Sequence, residues 1–201
     1  VPLKILVVKD SMSKMISAHV VKSKGTEDDG YAVAKLKRDI MWLGYAKVNL
    51  KSGNEPAIVA LLQEVLRGLK LEATEQVAEV HPAPYDSKGN GSVENAVRQV
   101  QGQVRTMKRC LEIRLRRRIP ADHPVMAWLV KHAAWILTIR VRGRDGKTPY
   151  ERLRGKPFTR KGVGFGELCL FRLPLKKADG DDGKLGVRWV KGVFLGYDRI
   201  T

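Results

Sequence analysis

The sequence predicts a mixed α/β domain in which short strands alternate with amphipathic helices. Apolar, β-branched runs at Leu3 to Lys9 and Met15 to Lys22 predict two strands, and the periodic segment Glu27 to Leu43 predicts a helix after them. Further strand and helix signals alternate downstream, an order typical of a sheet packed against helices. With 201 residues, 43% of them hydrophobic, the chain is long enough to bury one core and a small additional module.

The first half of the chain contains four predicted strands and two predicted helices. The polar segment Asp10 to Lys14 separates the two opening runs, which predicts an antiparallel hairpin. Thr26 is the expected N-cap of the first helix and Gly44 its expected end. The next signals predict a strand at Ala46 to Leu50, a helix at Glu55 to Arg67 with Pro56 in its first turn, and a strand at Gln76 to Val80.

A long basic helix is predicted after the glycine and asparagine turn in the run Pro84 to Val97, and Glu94 is expected to open it. Its apolar residues alternate at spacings of four and three, which predicts one buried face formed by Val93, Val97, Val100, Val104, Met107 and Leu111. One position over, the same spacing places an acid, an amide and several cations on a neighbouring face: Glu94, Arg98, Gln101, Arg105 and Lys108. A carboxylate in the first turn of such a helix can direct a metal ion at a phosphate.

The remaining segments predict one more helix and two strands. Pro120 interrupts the chain, and the apolar stretch His123 to Ile139 predicts a helix with Trp128 and Trp135 as core residues. Beyond it, two alternating runs predict strands on either side of a Gly- and Asp-rich loop at Ala178 to Gly183: Leu168 to Leu173 and Arg188 to Tyr197.

The charge of the chain points to a polyanionic partner. Lys and Arg total 38 against 21 Asp and Glu, which gives a formal net charge of +17. Eight cations lie between Arg98 and Arg118, where Glu112 is the one acid. Such a balance favours DNA or RNA. The two cysteines and four histidines lack the spacing of a disulfide framework or zinc site, and no apolar run approaches the roughly 20 residues of a membrane span.

The segment around Glu94 resembles the third-carboxylate helix of retroviral-type integrases, in the variant of copia-like long-terminal-repeat retrotransposons. The resemblance continues in Lys51-Ser52-Gly53-Asn54-Glu55, in Thr148 to Leu153, and in Trp189 to Tyr197. It implies an integrase core of the ribonuclease-H-like fold at residues 1–145, in which the first strand is missing. A connector at 146–165 and a small C-terminal β module at 166–201 would follow this core. Because the missing strand would be central, we expect free strand edges near residues 3–9 and 46–50.

The resemblance also implies a chemistry from which this chain departs. Members of the family use two aspartates and one glutamate to bind a pair of Mg²⁺ or Mn²⁺ ions that promote DNA strand transfer. Glu94 stands at the third position, Gly53 occupies the second, and the first would lie upstream of Val1. Asp10 is a weak alternative metal ligand, since the corresponding family residue binds no metal. We therefore expect catalytic degeneracy with retained phosphate binding by Arg98, Gln101, Arg105 and Lys108.

Partners and location follow from the same resemblance. It implies binding to DNA, both element ends and target DNA, allows a homo-oligomer, and includes no membrane partner. With no signal peptide at the start of the sequence, we expect the nucleus or a cytoplasmic particle. Two other functions stay open: a domesticated DNA-binding protein without catalysis, and more remotely an active ribonuclease-H-like nuclease that uses Asp10.

Overall fold

The structure, a computed structural model, describes residues 3–26, 30–72, 76–80, 87–172 and 188–197. Strands and helices alternate in those ranges, which confirms the predicted α/β class. The strands are β1 (Lys4–Lys9), β2 (Ile16–Val21), β3 (Lys47–Lys51), β4 (Gln76–Val80), β5 (Leu168–Arg172) and β6 (Trp189–Val193). The helices are α1 (Tyr31–Leu43), α2 (Pro56–Glu72), α3 (Ser87–Leu115), α4 (Val125–Arg140) and α5 (Pro149–Arg154).

The described strands form three two-stranded sheets. β1 and β2 make the predicted antiparallel hairpin, with Leu6 opposite His19. β3 and β4 are parallel, with Val48 opposite Val77, and α2 forms the crossover that a parallel pair requires. β5 and β6 pair in antiparallel fashion near the C-terminal end.

β1 lies between two helical layers. Because side chains alternate along a strand, Ile5 and Val7 contact the cluster formed with α3 and α4, whereas Leu6 and Val8 contact the cluster formed with α1 and α2. Val48 and Leu50 of β3 pack on the same α1 and α2 cluster. The hairpin and the parallel pair therefore rest side by side on one layer of helices.

A gap separates β1 from β3. Within the described ranges β1 pairs with β2 and β3 with β4, so the facing edges of β1 and β3 share no ladder of hydrogen bonds. A cavity of about 510 Å³ lies between them, lined by Leu6 and Val7 on one side, Ser52 and Gly53 on the other, and Val93 of α3. This split agrees with the expectation of free strand edges at residues 3–9 and 46–50.

The structure corrects the predicted start of the long basic helix. α3 begins at Ser87, and Gly89, Asn90 and Gly91, predicted to form a turn, are helical. A helical glycine costs about 1 kcal/mol relative to alanine, but extending an existing helix orders only one residue for each new hydrogen bond. Glu94 therefore lies within the helix and does not open it.

Two other predicted features of the helices are wrong. α1 begins at Tyr31 after Gly30, which is the N-cap at φ 75° in place of Thr26; residues 27–29 lie outside the described ranges. Trp128 is 51% exposed, whereas Trp135 is buried as predicted. The reason is the position of α5: Tyr150 packs edge-on against Trp135 at 5.9 Å, while Trp128 lies toward the other end of α4, beside the ammonium of Lys131.

The residues next to β5 and β6 contact each other and, through Phe194, helix α4. The Gly166 N–H donates to the Phe194 carbonyl at 2.8 Å, and the Phe194 N–H donates to the Glu167 carbonyl at 2.9 Å. The ring of Phe194 lies edge-on to His132 of α4, with centroids 5.7 Å apart. The division into core, connector and β module stays a prediction, and the loop predicted at 178–183 lies outside the described residues.

Candidate nucleic-acid interface

α3 places the predicted polar residues on an exposed face because its opposite face is buried. Ala96, Val100 and Val104 are covered by the hairpin and α4. Burying such side chains contributes about 1 to 3 kcal/mol each, so this packing fixes the rotation of the helix about its axis. The predicted acid, amide and guanidinium groups are all exposed as a result: Glu94, Arg98, Gln101 and Arg105.

Lys108 differs from the other members of the predicted face. It is half-buried, and its Nζ lies 3.5 Å from a carboxylate oxygen of Glu112 one turn later. That carboxylate also accepts the Ile119 N–H at 2.9 Å, and this hydrogen bond, with smaller contributions from Lys108 and Arg109, holds the pKa of Glu112 below its usual value. Part of the Lys108 charge is therefore balanced within the protein.

The structure brings Gly53 close to α3. Gly53 follows β3 and lines the same cavity as Val93, the residue before Glu94. Glycine offers no metal ligand, and the assignment of Gly53 and Glu94 to the second and third carboxylate positions stays a prediction. The Glu55 carboxylate, two residues further on, lies 2.8 Å from the Lys24 ammonium.

The carboxylate of Asp10 stabilises the hairpin turn. Its oxygens accept hydrogen bonds from the Ser13 N–H at 2.7 Å, the Ser13 hydroxyl at 2.5 Å, the Tyr45 hydroxyl at 2.8 Å and the Met12 N–H at 3.3 Å. Burial alone would raise the pKa of Asp10, but these hydrogen bonds outweigh it and lower the pKa. A carboxylate engaged by four donors is poorly suited to bind a metal ion.

Within the described ranges, the side chains assigned to metal binding do not fit a divalent metal centre. Mg²⁺ is bound through carboxylates in near-octahedral geometry. Of the positions assigned to metal binding, one holds Gly53, one holds the exposed Glu94, and the alternative Asp10 is hydrogen-bonded within its turn. Among the residues that the structure describes, no group of three His, Cys, Asp or Glu side chains could hold a metal ion.

Sequence reasoning missed a second basic surface. Cations from the hairpin and from the loop after α4 line one groove: Lys9, Lys14, Arg142 and Arg144. The signal available in the sequence was the basic stretch from Arg140 to Lys161, which carries nine cations and two acids. Nothing in that stretch indicated that the β1–β2 hairpin would lie beside it.

The predictions about cysteines, histidines and membrane spans concern features away from the second basic surface. Cys110 is exposed and Cys169 half-buried, and both are free thiols. His19 is buried in a hydrogen bond with Asp39, Nε2 to Oδ2 at 2.7 Å. In the part of the chain that is described, no helix has the length and apolar character needed to cross a bilayer.

Comparison with known proteins identifies the class of fold. No family model matches the chain, and no curated protein does. The crystal structure of the catalytic core domain of BIV integrase matches with 20% identity and a TM-score of 0.49, over 74% of this chain and 84% of that one. A chain of the cryo-EM structure of the simian T-cell lymphotropic virus intasome in complex with PP2A regulatory subunit B56 gamma matches with 19% identity and a TM-score of 0.53.

The intasome match covers 94% of this chain and 60% of the matched one, so the chain spans less than two thirds of that relative. At this level of identity the likeness concerns the fold alone. The described part of the chain has the α/β fold of a retroviral integrase catalytic core.

Proposed function

We propose that the chain is an integrase-type protein of a copia-like retrotransposon that takes part in DNA integration by binding DNA. The supporting observation is the exposed face of α3, where Arg98, Gln101 and Arg105 project from a helix whose opposite side is buried. Guanidinium and amide groups in such a row donate hydrogen bonds to phosphate oxygens, contacts that position a protein on DNA without reading its sequence. The formal net charge of +17 favours the same partner.

The proposal includes loss of strand transfer. Two-metal chemistry needs carboxylates that balance the charge of the ions and hold them in line with the phosphate. Here Gly53 supplies none, Glu55 is paired with Lys24, and Asp10 serves the hairpin turn. Glu94 alone cannot assemble a metal pair. The lack of suitable metal-binding carboxylates also supports the second candidate, a domesticated DNA-binding protein without catalysis. A reverse-transcriptase coding sequence beside the gene would distinguish a retrotransposon protein from a host protein.

Binding to a duplex oligonucleotide, measured by fluorescence anisotropy between 50 and 200 mM salt, tests the binding function. Replacing Arg98 and Arg105 by Gln should reduce the slope of log affinity against log salt by about 2, roughly 1 for each lost phosphate contact. The matched control is Lys4→Gln with Lys22→Gln, which removes the same charge at the far end of the β1–β2 hairpin and should change the slope much less. Equal effects of the two pairs would contradict a specific role for α3.

Strand-transfer and 3′-processing assays in Mg²⁺ and in Mn²⁺ test the loss of catalysis. The chain and its Glu94→Gln variant are both expected to be inactive, while their DNA affinities stay similar. Activity that Glu94→Gln abolishes would overturn the claim of degeneracy. Activity that survives Glu94→Gln would instead refute the assignment of Glu94.

A further inference from the structure

A second basic surface lies beside the β1–β2 turn. It is a groove of about 670 Å³ between the hairpin, α3 and the loop that joins α4 to α5. Its polar lining comes from all three elements: Lys9, Lys14, Asn95, Gln99, Arg142 and Arg144. These residues are far apart in sequence, so the groove is a product of the fold.

The groove carries an excess of positive charge. Five cations and one carboxylate line it. The carboxylate, Asp145, is bound on both oxygens by Arg152, at 2.9 Å from Nε and 2.5 Å from a terminal nitrogen. The side-chain hydrogen bond from Arg152 holds the pKa of Asp145 well below its usual range. Because Asp145 and Arg152 neutralise each other, the charge of the remaining four cations is left uncompensated by the groove lining.

Two of those cations, Lys9 and Lys14, flank the β1–β2 turn and line the groove together. Burial and the nearby Lys14 ammonium lower the pKa of Lys9. The Lys9 Nζ donates to the Ser92 carbonyl of α3 at 3.2 Å, and the Lys14 Nζ donates to the Ser11 carbonyl. Neutral carbonyls orient these two ammonium groups without balancing their charge. An anion placed between them would relieve their repulsion.

Arg142 and Arg144 supply charge from the opposite wall. Arg142 lies 3.5 Å from the Glu151 carboxylate, but 62% of its side chain remains exposed. Arg144 is exposed in the loop that follows. Guanidinium groups suit phosphate because their planar donors match its oxygens.

The walls of the groove are fixed before any ligand arrives. The Arg152 guanidinium, besides binding Asp145, donates to the Ser13 carbonyl at 3.1 Å and so ties α5 to the hairpin turn. Asp10 holds the same turn through its hydrogen bonds to Ser13. A groove that is already ordered loses less entropy on binding than mobile side chains would.

We propose that this groove binds the phosphodiester backbone of duplex DNA as a continuation of the α3 face. Asn95 and Gln99 line the groove, and on α3 they directly follow Glu94 and Arg98 of the proposed DNA-binding face. One backbone can therefore pass from the arginines of α3 into the groove. The inference rests on the proposed DNA-binding function and adds a second set of contacts to it.

Three paired variants test the groove in the anisotropy assay on a duplex oligonucleotide. The groove pair is Lys9→Gln with Lys14→Gln, the helix pair is Arg98→Gln with Arg105→Gln, and the hairpin control is Lys4→Gln with Lys22→Gln. The groove pair should lower the salt slope by about 2, as the helix pair does. A slope for the groove pair equal to that of the hairpin control would overturn the inference.

The outcomes separate this inference from the proposed function. A loss with the helix pair but none with the groove pair refutes the groove alone, and the reverse refutes the assignment to α3. Failure of the unmodified chain to bind duplex DNA refutes both. Far-ultraviolet circular dichroism and thermal melting check that each variant is folded. Arg144→Gln, in the exposed loop, tests the groove without changing the hairpin and should lower the slope of log affinity against log salt by about 1. Equal weakening of binding to single-stranded RNA would refute the assignment to duplex DNA.

Discussion

Mild acid should destabilise the protein through His132. This side chain on α4 is 4% exposed, and its ring packs between Phe165 and Phe194 with centroid separations of 5.5 and 5.7 Å. Within the described residues its Nδ1 has no hydrogen-bond partner. Lys35, Arg38 and Lys131 line the adjoining cavity, so a proton on the imidazole would add positive charge beside three cations.

Burial lowers the pKa of His132 from 6.5 to about 4. The imidazole in the unfolded chain accepts a proton near pH 6.5, whereas the folded protein keeps it neutral until about pH 4. The contribution to stability is therefore complete above pH 6.5 and is lost as the pH falls toward 4. Each pKa unit is worth about 1.4 kcal/mol, so the interval corresponds to about 3 kcal/mol, a large part of an ordinary domain's stability.

Urea unfolding at pH 7 and at pH 4 measures this loss. Carboxylates such as Asp10 also titrate, so the test is the difference between the unmodified chain and His132→Leu, which cannot take up the proton. Between these two pH values the unmodified chain should lose about 3 kcal/mol more free energy of unfolding than His132→Leu. His123→Gln, at an exposed histidine, serves as the control and should behave like the unmodified chain. Identical pH dependence in all three proteins would refute the reasoning.

Four further substitutions test how the fold holds the candidate surface. Asp39→Ala leaves the buried His19 without its 2.7 Å partner and should cost about 3 kcal/mol in urea unfolding, whereas no loss would mean that the pair is dispensable. Thr148→Ala removes the hydroxyl that accepts the Glu151 N–H at 3.1 Å and should cost about 1 kcal/mol, measured the same way. Trp135→Ala should lower stability by about 3 to 5 kcal/mol and Trp128→Ala by far less, since only Trp135 is buried; equal losses would contradict the packing.

Local periodicity predicted the described strands and the helices α1 to α4, but not the short helix α5. β4 was predicted at the residues where it lies, whereas its parallel pairing with β3 was not predicted. The exposure of Arg98 and Arg105 followed from the four-three spacing of the apolar residues on α3, because that spacing fixes which face a helix buries.

Features that depend on distant packing could not be predicted in this way. Periodicity placed Trp128 and Trp135 on similar sides of one helix, but only the position of α5 determines which of them is covered. The start of α3 was obscured by glycine residues whose low helix propensity is overcome by cooperative extension. The groove near Lys9 could not be predicted from local periodicity either, because three segments that are separate in sequence must meet to form it.

The contacts that position the proposed DNA-binding face are separate from Gly53, the residue at which we propose that a catalytic carboxylate is missing. Val100 and Val104 fix the orientation of α3 against α4 and the hairpin, and Lys9 joins β1 to the helix through the Ser92 carbonyl. None of these contacts involves Gly53, which lines the cavity between β1 and β3. In the proposed function, glycine at position 53 supplies no metal ligand, and the buried contacts of Val100 and Val104 do not include it. The proposed loss of catalysis is therefore compatible with a cationic face of α3 that keeps its geometry.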